Sequence, residues 1–263
     1  MNKTALITGA SGGIGLELAR IHASKGDDLI LVARTGSKLG QLKTELGQKF
    51  NIQVYNIEKD LSVKDAGKEV FEEVKRKGIT INYLINNAGL GDFGLFAECD
   101  WDKQERMINL NITALAHLTR LFLPEMIERG EGKILNVAST ASFQPGPKMS
   151  VYFATKAFVL SFSEAINNEV RDKGITVTAL CPGSTESGFH AVVIDNPNLV
   201  KDRKMPTAKE VAEFGYNAMM KGTPVAIHGF KNALMANAVR FFPRGFIVKM
   251  ARKIQEKKHS REI

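Results

Sequence analysis

The chain has 263 residues, 44% of them hydrophobic and 24% charged, which suits one large α/β domain and leaves little room for two. No apolar run reaches the roughly 18–20 residues of a membrane span, the N-terminus has no secretory-signal pattern and the two cysteines, Cys99 and Cys181, fit a reducing compartment, so we expect a cytoplasmic protein. The net charge of +8 is concentrated after residue 230, which argues against a nucleic-acid-binding surface on the main domain.

Short β-branched or apolar runs alternate with longer helical patterns. The strand candidates are Ala5–Thr8, Leu29–Val32, Ile52–Ile57, Tyr83–Asn86, Lys133–Ala138, Thr176–Leu180 and Val225–His228. The helix candidates lie near Ile14–Lys25, Ser37–Lys49, Val63–Lys77, Asp102–Glu128, Val151–Lys173 and Ala208–Lys221. This alternation predicts a parallel sheet with helices on both faces, in one domain over residues 1–230. The aperiodic stretch 184–206 is predicted to be its substrate loop.

The remaining residues, 231–263, are predicted to form a basic helical extension with a break at Pro243. This extension has a net charge of +7. Phe246, Ile247, Met250 and Ile254 recur at helical spacing, with cations on the other face. Two interpretations are open, namely weak contact with an anionic membrane surface or a helix docked on the core with a solvated basic face.

A glycine-rich turn follows the first strand and precedes a helix. Glycines there allow backbone N–H groups to approach a pyrophosphate, and the helix N-terminus adds a partial positive charge. The predicted cofactor contacts of the turn are Gly9, Ser11, Gly13, Ile14 and Gly15. The spacing G-x-x-x-G-x-G differs from the usual G-x-G-x-x-G, so a glycine turn without a ligand is the alternative.

The end of the second strand indicates which dinucleotide binds. NAD enzymes usually carry Asp or Glu there to bind the ribose 2′-OH, whereas this chain has Ala33-Arg34-Thr35. Arg34 offers a planar cation to a 2′-phosphate, and Thr35 or Ser37 a hydroxyl. We therefore predict NADP(H) as cofactor, the alternative being that Arg34 is a solvated loop residue.

A tyrosine and a lysine four residues apart, Tyr152 and Lys156, share one face of a predicted helix. A nearby ammonium favours a phenolate, so we expect Lys156 to lower the pKa of Tyr152 toward neutrality. Ser139 ends a predicted strand, at the sheet edge where ligands bind, and its hydroxyl could bond a substrate oxygen. The three predict an acid–base site, and a surface Tyr–Lys pair is the alternative.

With these motifs the sequence resembles the classical short-chain dehydrogenase/reductase family. The matching elements, in the family's order over about residues 1–190, are Thr8-Gly9-x-x-x-Gly13-x-Gly15, Asp60, Asn86-Asn87-Ala88-Gly89, Asn111, Ser139, Tyr152-x-x-x-Lys156 and Pro182-Gly183. The resemblance implies a single doubly wound, Rossmann-type parallel sheet of seven strands in the order 3-2-1-4-5-6-7, here with extra C-terminal helices.

The resemblance also implies residue roles. Tyr152 would exchange a proton with the reacting oxygen, Lys156 would lower its pKa and hold the nicotinamide ribose, and Ser139 would orient the carbonyl. Asn111 would hold a water that links Lys156 to solvent, although Asn109 competes for this role. The further cofactor residues are Asp60 at the adenine amino group, Leu61, Asn87 near the adenine ribose, Ala88, Gly89, Pro182, Gly183, and Thr185 and Ser187 at the carboxamide and pyrophosphate.

The sequence thus predicts an NADP(H)-dependent carbonyl reductase or alcohol dehydrogenase, working as a homodimer or homotetramer without a metal. Residues 1–230 would be its dinucleotide-binding and catalytic domain. Apolar side chains indicate an apolar carbonyl or secondary alcohol as substrate; they are Phe93, Phe96, Phe143, Phe189 and Val192–Ile194. The alternative is a catalytically idle dinucleotide-binding scaffold or regulator at a membrane surface. A nucleotide-sugar epimerase or dehydratase is disfavoured by the short chain and by the residues between Tyr152 and Lys156.

Overall fold

The computed structural model describes residues 2–186 and 205–259. Seven strands form one sheet: β1 Thr4–Thr8, β2 Asp28–Ala33, β3 Val54–Glu58, β4 Tyr83–Asn86, β5 Gly132–Val137, β6 Ile175–Cys181 and β7 Val225–Ile227. Every pairing is parallel, in the order β3-β2-β1-β4-β5-β6-β7. The predicted doubly wound, Rossmann-type sheet is confirmed.

Helices connect the strands and cover both faces. They are α1 Gly13–Ser24, α2 Gly36–Phe50, α3 Ala66–Arg76, α4 Trp101–Ile108, α5 Leu115–Arg129, α6 Ser150–Val170, α7 Ala208–Met220, α8 Phe230–Ala238 and α9 Arg244–His259. The single helix expected over Asp102–Glu128 is interrupted by a wider π-helical segment at Asn109–Ala114. No helix among the residues described here is both long and apolar enough to cross a membrane.

Successive side chains of a strand pack into two separate apolar layers, one on each face of the sheet. Ala5 and Ile7 of β1 pack with α1, α2 and α7, whereas Leu6 between them packs with α3 and α5. Because successive strand residues point to opposite faces, a strand covered on both sides is apolar at almost every position. All five residues of β1 are accordingly buried.

Strand β1 lies between β2 and β4 in the sheet, so the winding of the chain reverses direction at β1. In doubly wound sheets, ligands bind in the crevice at the carboxyl ends of the strands where the winding reverses. The loops that follow β1 and β4 therefore mark the binding side.

The C-terminal extension lies against this same side. Ile247, Ala251 and Gln255 recur every four residues along α9 and are 4%, 1% and 6% exposed. The ammonium nitrogen of Lys148, in the loop before α6, lies 3.8 Å from a carboxylate oxygen of Glu256. Helix α9 is thus docked on the body of the protein, as the second interpretation of the extension expected, although the buried stripe contains only Ile247 of the four apolar residues named from the sequence.

Candidate active site

A cavity of about 760 Å³ opens at the carboxyl edge of the sheet. It brings together most of the residues predicted from the sequence: Gly9, Ser11, Gly13, Ile14, Arg34, Asn87, Ala88, Gly89, Ser139, Tyr152, Lys156, Pro182, Gly183 and Thr185. Gly15, Thr35, Asp60, Leu61 and Asn111 lie behind or beside its walls, and Ser187 falls outside the described residues.

The glycine turn has a shape that only glycine allows. Gly9 and Gly13 adopt φ angles of +67° and +55°, where a Cβ is strained. A Cβ on Gly15 would lie 2.4 Å from the Asn87 side-chain nitrogen and 2.5 Å from the Gly9 carbonyl oxygen. Helix α1 begins after Gly12 with no side chain capping its first N–H groups, and Gly12 lines the cavity. Uncapped N–H groups at a helix start fit a phosphate ligand.

Thr8 and Asn87 hold this turn in place. The Thr8 hydroxyl accepts hydrogen bonds from the N–H groups of Asn87 and Ala88, both at 3.0 Å, and the Asn87 amide donates to the Thr8 carbonyl at 2.9 Å. Thr8 was not among the residues predicted for the site. Its position directly before Gly9 was the signal that could have identified it. Asn86 is buried and donates to Asn136 on the neighbouring strand, so it braces the sheet.

At the far end of the cavity, Arg34 is exposed and lines the mouth. Asp60 accepts hydrogen bonds from the Ser62 hydroxyl and N–H, and its other oxygen lies 2.9 Å from Arg106. Partial burial alone would raise the pKa of Asp60, but the Ser62 hydrogen bonds and the charges of Arg106 and Arg34 hold it below its usual value. Leu61 is buried in the core, so only its main chain is available to a cofactor.

Glu58, which the sequence analysis did not consider, lies beside the predicted 2′-phosphate site. It pairs in register with Ala33 of β2. A Cβ on Gly36, the first residue of α2, would lie 2.0 Å from a Glu58 carboxylate oxygen. A carboxylate therefore does lie next to the end of β2, supplied by the neighbouring strand.

Ser139 and Tyr152 meet at the inner end of the cavity. The Ser139 hydroxyl accepts a hydrogen bond from the Ala141 N–H at 3.1 Å and bonds the Tyr152 phenol. Burial raises the pKa of Tyr152 to about 12, and the Ser139 hydrogen bond offsets part of this rise. The expectation that Lys156 lowers the pKa of Tyr152 toward neutrality is wrong for this structure, because burial dominates and raises that pKa.

Lys156 is buried one helical turn away from Tyr152. Its ammonium nitrogen lies 5.9 Å from the centre of the Tyr152 ring and donates to the Val137 carbonyl at 2.8 Å. Burial lowers the pKa of Lys156 to about 8. The predicted pair therefore faces one cavity rather than the protein surface.

Asn111 lies in the π-helical segment and is 1% exposed. Its amide nitrogen donates to the Leu90 carbonyl at 2.9 Å and to the Thr155 hydroxyl at 3.0 Å, while its oxygen accepts from the Leu90 N–H at 2.8 Å. A Cβ on Gly89 would lie 3.4 Å from both the Asn111 oxygen and the Lys156 nitrogen. Asn111 thus fastens the loop after β4 next to Lys156. Its partners Leu90 and Thr155 could not be predicted from the sequence.

The rest of the cavity is mostly apolar, apart from polar side chains such as Gln144, Asn232 and Gln255, and much of its wall is C-terminal. Beside Phe143, Met149 and Phe153, the wall contains Met235, Val239, Phe242, Ile247, Met250 and Ile254. Of the apolar pocket residues expected from the sequence, Phe143 lines the cavity, whereas Phe93 and Phe96 do not. Phe96 is 60% exposed and Phe93 packs under Lys148. Phe189 and Val192–Ile194 lie outside the described residues.

Comparison with known proteins places this site in a family. The short chain dehydrogenase family model matches residues 3–197. The very-long-chain 3-oxoacyl-CoA reductase of Mus musculus is 35% identical over 188 residues, which cover 69% of this chain and 59% of that protein. The match thus spans about three fifths of the length of this curated relative.

Solved structures agree in fold. A short-chain dehydrogenase from Sphingobium yanoikuyae in complex with NADPH is 32% identical, with a TM-score of 0.81 over 90% of this chain and 92% of that one. The bulky-bulky ketone specific alcohol dehydrogenase from Comamonas testosteroni is 30% identical, with a TM-score of 0.78 over the same shares. This chain therefore belongs to the short-chain dehydrogenase/reductase family of oxidoreductases.

Proposed function

We propose that this protein is an NADP(H)-dependent reductase of bulky, apolar carbonyl compounds, acting in reverse on the corresponding secondary alcohols. One observation carries the proposal: the hydroxyls of Ser139 and Tyr152 meet in a cavity whose remaining wall is mostly apolar. A carbonyl oxygen fits the two hydroxyls, and a large hydrocarbon body fits the rest of the space.

The protein residues handle the proton. A bound nicotinamide cofactor supplies or accepts the hydride. Tyr152, whose pKa is about 12, is protonated at neutral pH and donates its proton to the carbonyl oxygen as negative charge develops there. Ser139 donates a hydrogen bond to the same oxygen, and the Lys156 ammonium stabilises the phenolate that Tyr152 becomes. Asn111 acts as a positioning residue through Leu90 and Thr155.

The turn at Gly9–Gly15 would hold the pyrophosphate, and Lys156 the nicotinamide ribose. Arg34 supports NADP(H), because a guanidinium at the cavity mouth favours a 2′-phosphate. Glu58 opposes it, because a carboxylate at the start of α2 repels a phosphate and accepts a hydrogen bond from a free 2′-hydroxyl. We give Arg34 the greater weight because it lines the cavity, whereas Glu58 does not.

The cavity size and the names of the relatives support a bulky substrate. One structural relative is described as specific for bulky-bulky ketones, and the curated mouse relative as reducing very-long-chain 3-oxoacyl-CoA. Both descriptions fit the apolar C-terminal wall, to which Phe242 and Ile247 contribute.

The test is a carbonyl screen followed by absorbance of the reduced nicotinamide. We expect NADPH oxidation with ketones carrying two large apolar groups or with long-chain 3-oxoacyl thioesters, and little with acetone. Turnover of small polar carbonyls alone would contradict the substrate proposal, and an equal or higher kcat/KM with NADH would contradict the cofactor proposal. An idle dinucleotide-binding scaffold is disfavoured, since it needs the glycine turn but not Ser139, Tyr152 and Lys156 around one cavity.

We also propose that the chain forms a homodimer or homotetramer through α5 and α6. Phe158 and Phe162 stack 5.6 Å apart along α6, and Phe158 is 37% exposed. Burying this apolar surface against a second copy would stabilise a pair of subunits. Sedimentation of the wild type and of Phe158→Ser tests this: a monomeric wild type would contradict it.

A further inference from the structure

The segment from Phe230 to Ile254 carries most of the large hydrophobic side chains that the described residues expose. Eight of the fourteen lie between residues 230 and 254. They are Phe230, Leu234, Met235, Phe241, Phe242, Phe246, Met250 and Ile254, and we call this set the C-terminal patch. Phe230 and Phe241 are 84% and 85% exposed, more than any other large hydrophobic side chain described. Such a concentration of exposed apolar side chains marks a contact surface.

The charged residues within the segment of the patch are all cations. Residues 230–255 contain six cations and no acidic residue. Arg252 pairs with Glu256. The other five have no carboxylate partner within 4.0 Å among residues 2–186 and 205–256; they are Lys231, Arg240, Arg244, Lys249 and Lys253. All five are exposed.

Helix α9 separates three stripes along its length. At 100° per residue, Ile247 and Ala251 face the body of the protein, Phe246 and Met250 lie beside them, and Lys249 and Lys253 follow. The body-facing pair is at most 4% exposed, whereas Phe246 is 53% exposed. An exposed apolar stripe edged by lysines has the pattern of a helix lying in a lipid–water interface.

The patch also forms the rim of the substrate cavity. Met235, Phe242, Met250 and Ile254 are exposed and at the same time line the cavity wall. A surface that covered the patch would therefore lie at the cavity opening.

We propose that the C-terminal patch docks on an anionic lipid bilayer, with its phenyl groups in the acyl region and its cations among the headgroups. Charge decides between a bilayer and a second copy of the chain. A symmetric pairing of this patch would bring its unpaired cations toward their own copies, which is unfavourable. Anionic headgroups complement the same cations. The docking does not depend on the proposed function; only its corollary, that the substrate enters from the lipid, rests on that function.

Co-sedimentation with vesicles tests the docking. The purified full chain is mixed with phosphatidylcholine vesicles or with vesicles containing about 30% phosphatidylserine, at low and high salt. We expect binding to the anionic vesicles that weakens at high salt, and at least tenfold weaker partitioning onto phosphatidylcholine alone. Equal partitioning onto both vesicles, or no binding to the anionic ones at low salt, would overturn the proposal.

Removal of charge tests the headgroup contact. Each cation near an anionic surface contributes about a fivefold factor to partitioning. The triple variant Arg244→Gln, Lys249→Gln and Lys253→Gln should therefore lower the partition coefficient by about a hundredfold. A matched control neutralises three exposed lysines elsewhere, Lys43, Lys64 and Lys173. If both triple variants lose the same affinity, net charge is responsible and the docking surface is refuted.

Removal of apolar surface tests insertion. Phe230→Ser with Phe241→Ser leaves the cavity wall intact, because neither side chain lines it. This variant should lose at least about tenfold in partitioning, whereas Trp101→Ser, which removes a 57% exposed aromatic from α4, should lose none. Unfolding temperatures within error of the wild type establish that each variant is folded. If the phenylalanine variant keeps its vesicle affinity but changes from dimer to monomer in sedimentation, the patch binds a second copy and the proposal is wrong.

Discussion

Replacement of Lys156 by methionine should stabilise the protein while destroying its activity. Burial lowers the pKa of this ammonium from 10.5 to about 8. At 1.36 kcal/mol per unit, keeping it charged in the folded state at neutral pH costs about 3 kcal/mol. The Lys156→Met variant avoids this cost but leaves the Val137 carbonyl without a hydrogen-bond donor. An unsatisfied carbonyl destabilises the folded protein by about 1–3 kcal/mol unless a water molecule replaces the ammonium.

The dependence on pH is therefore the sharper measurement. Between pH 8 and 10 the unfolded chain keeps the Lys156 proton and the folded protein releases it, so the free energy of unfolding rises with pH. Relative to that of Lys156→Met, the free energy of unfolding of the wild type should rise by about 2–3 kcal/mol from pH 8 to pH 10. Above pH 10 Tyr152 opposes the trend: its pKa is raised to about 12, so the unfolded chain loses that proton first.

Urea unfolding at several pH values from 7 to 10 measures this difference. Lys43→Met, at an exposed position on α2, is the control and should follow the wild type throughout. Parallel curves for the wild type and Lys156→Met would refute the assignment of a buried, costly ammonium. Activity should fall at least about a hundredfold in Lys156→Met, since the phenolate of Tyr152 loses its counter-charge.

Three further predictions test the rest of the site. Tyr152→Phe should lower turnover at least about a hundredfold and leave NADPH affinity, measured by fluorescence titration, within about twofold; retained turnover would remove Tyr152 from the mechanism. Arg34→Ala should reduce the kcat/KM preference for NADPH over NADH by about ten- to a hundredfold, and Lys43→Ala should not; equal effects would mean that Arg34 makes no specific contact. Gly15→Ala should lower both the unfolding temperature and NADPH affinity, whereas Gly40→Ala, with open space around its Cβ, should add about 0.4–1 kcal/mol of stability; an unaffected Gly15→Ala would contradict the close packing at the turn.

The sheet could be predicted because its signal is local and repeated. β-Strands buried on both faces are apolar at nearly every position, and the helices between them have their own period. The strand order was not contained in that pattern, and came from the resemblance in motifs. Boundaries moved by a few residues where packing decides: β3 begins at Val54 rather than Ile52, and α3 at Ala66 rather than Val63.

The parts of the site that were missed depend on contacts between distant segments. Thr8 matters through Asn87, which is 79 residues away, and Asn111 through Thr155, which is 44 residues away. The π-helical segment at Asn109–Ala114 leaves no mark in the hydrophobic spacing that predicted one continuous helix. For Tyr152, the neighbouring Lys156 could be predicted from the spacing but burial could not, and burial determines the direction of the Tyr152 pKa shift.

The prediction of NADP(H) rests on the end of β2 alone, so it also lacks the contacts that other segments make there. Ala33, Arg34 and Thr35 include no carboxylate that could bind a free 2′-hydroxyl. Parallel pairing, however, sets Glu58 of β3 opposite Ala33. Its carboxylate then stands at the start of α2, 25 residues from the strand end that was used for the prediction. Two opposite charges thus flank one site. Arg34 lines the cavity, and its charge acts on Asp60 as well as on any bound phosphate. Glu58 does not line the cavity and can turn outward because it is exposed. We therefore expect the balance of Arg34 and Glu58, rather than the segment after β2 alone, to set the preference between NADP(H) and NAD(H).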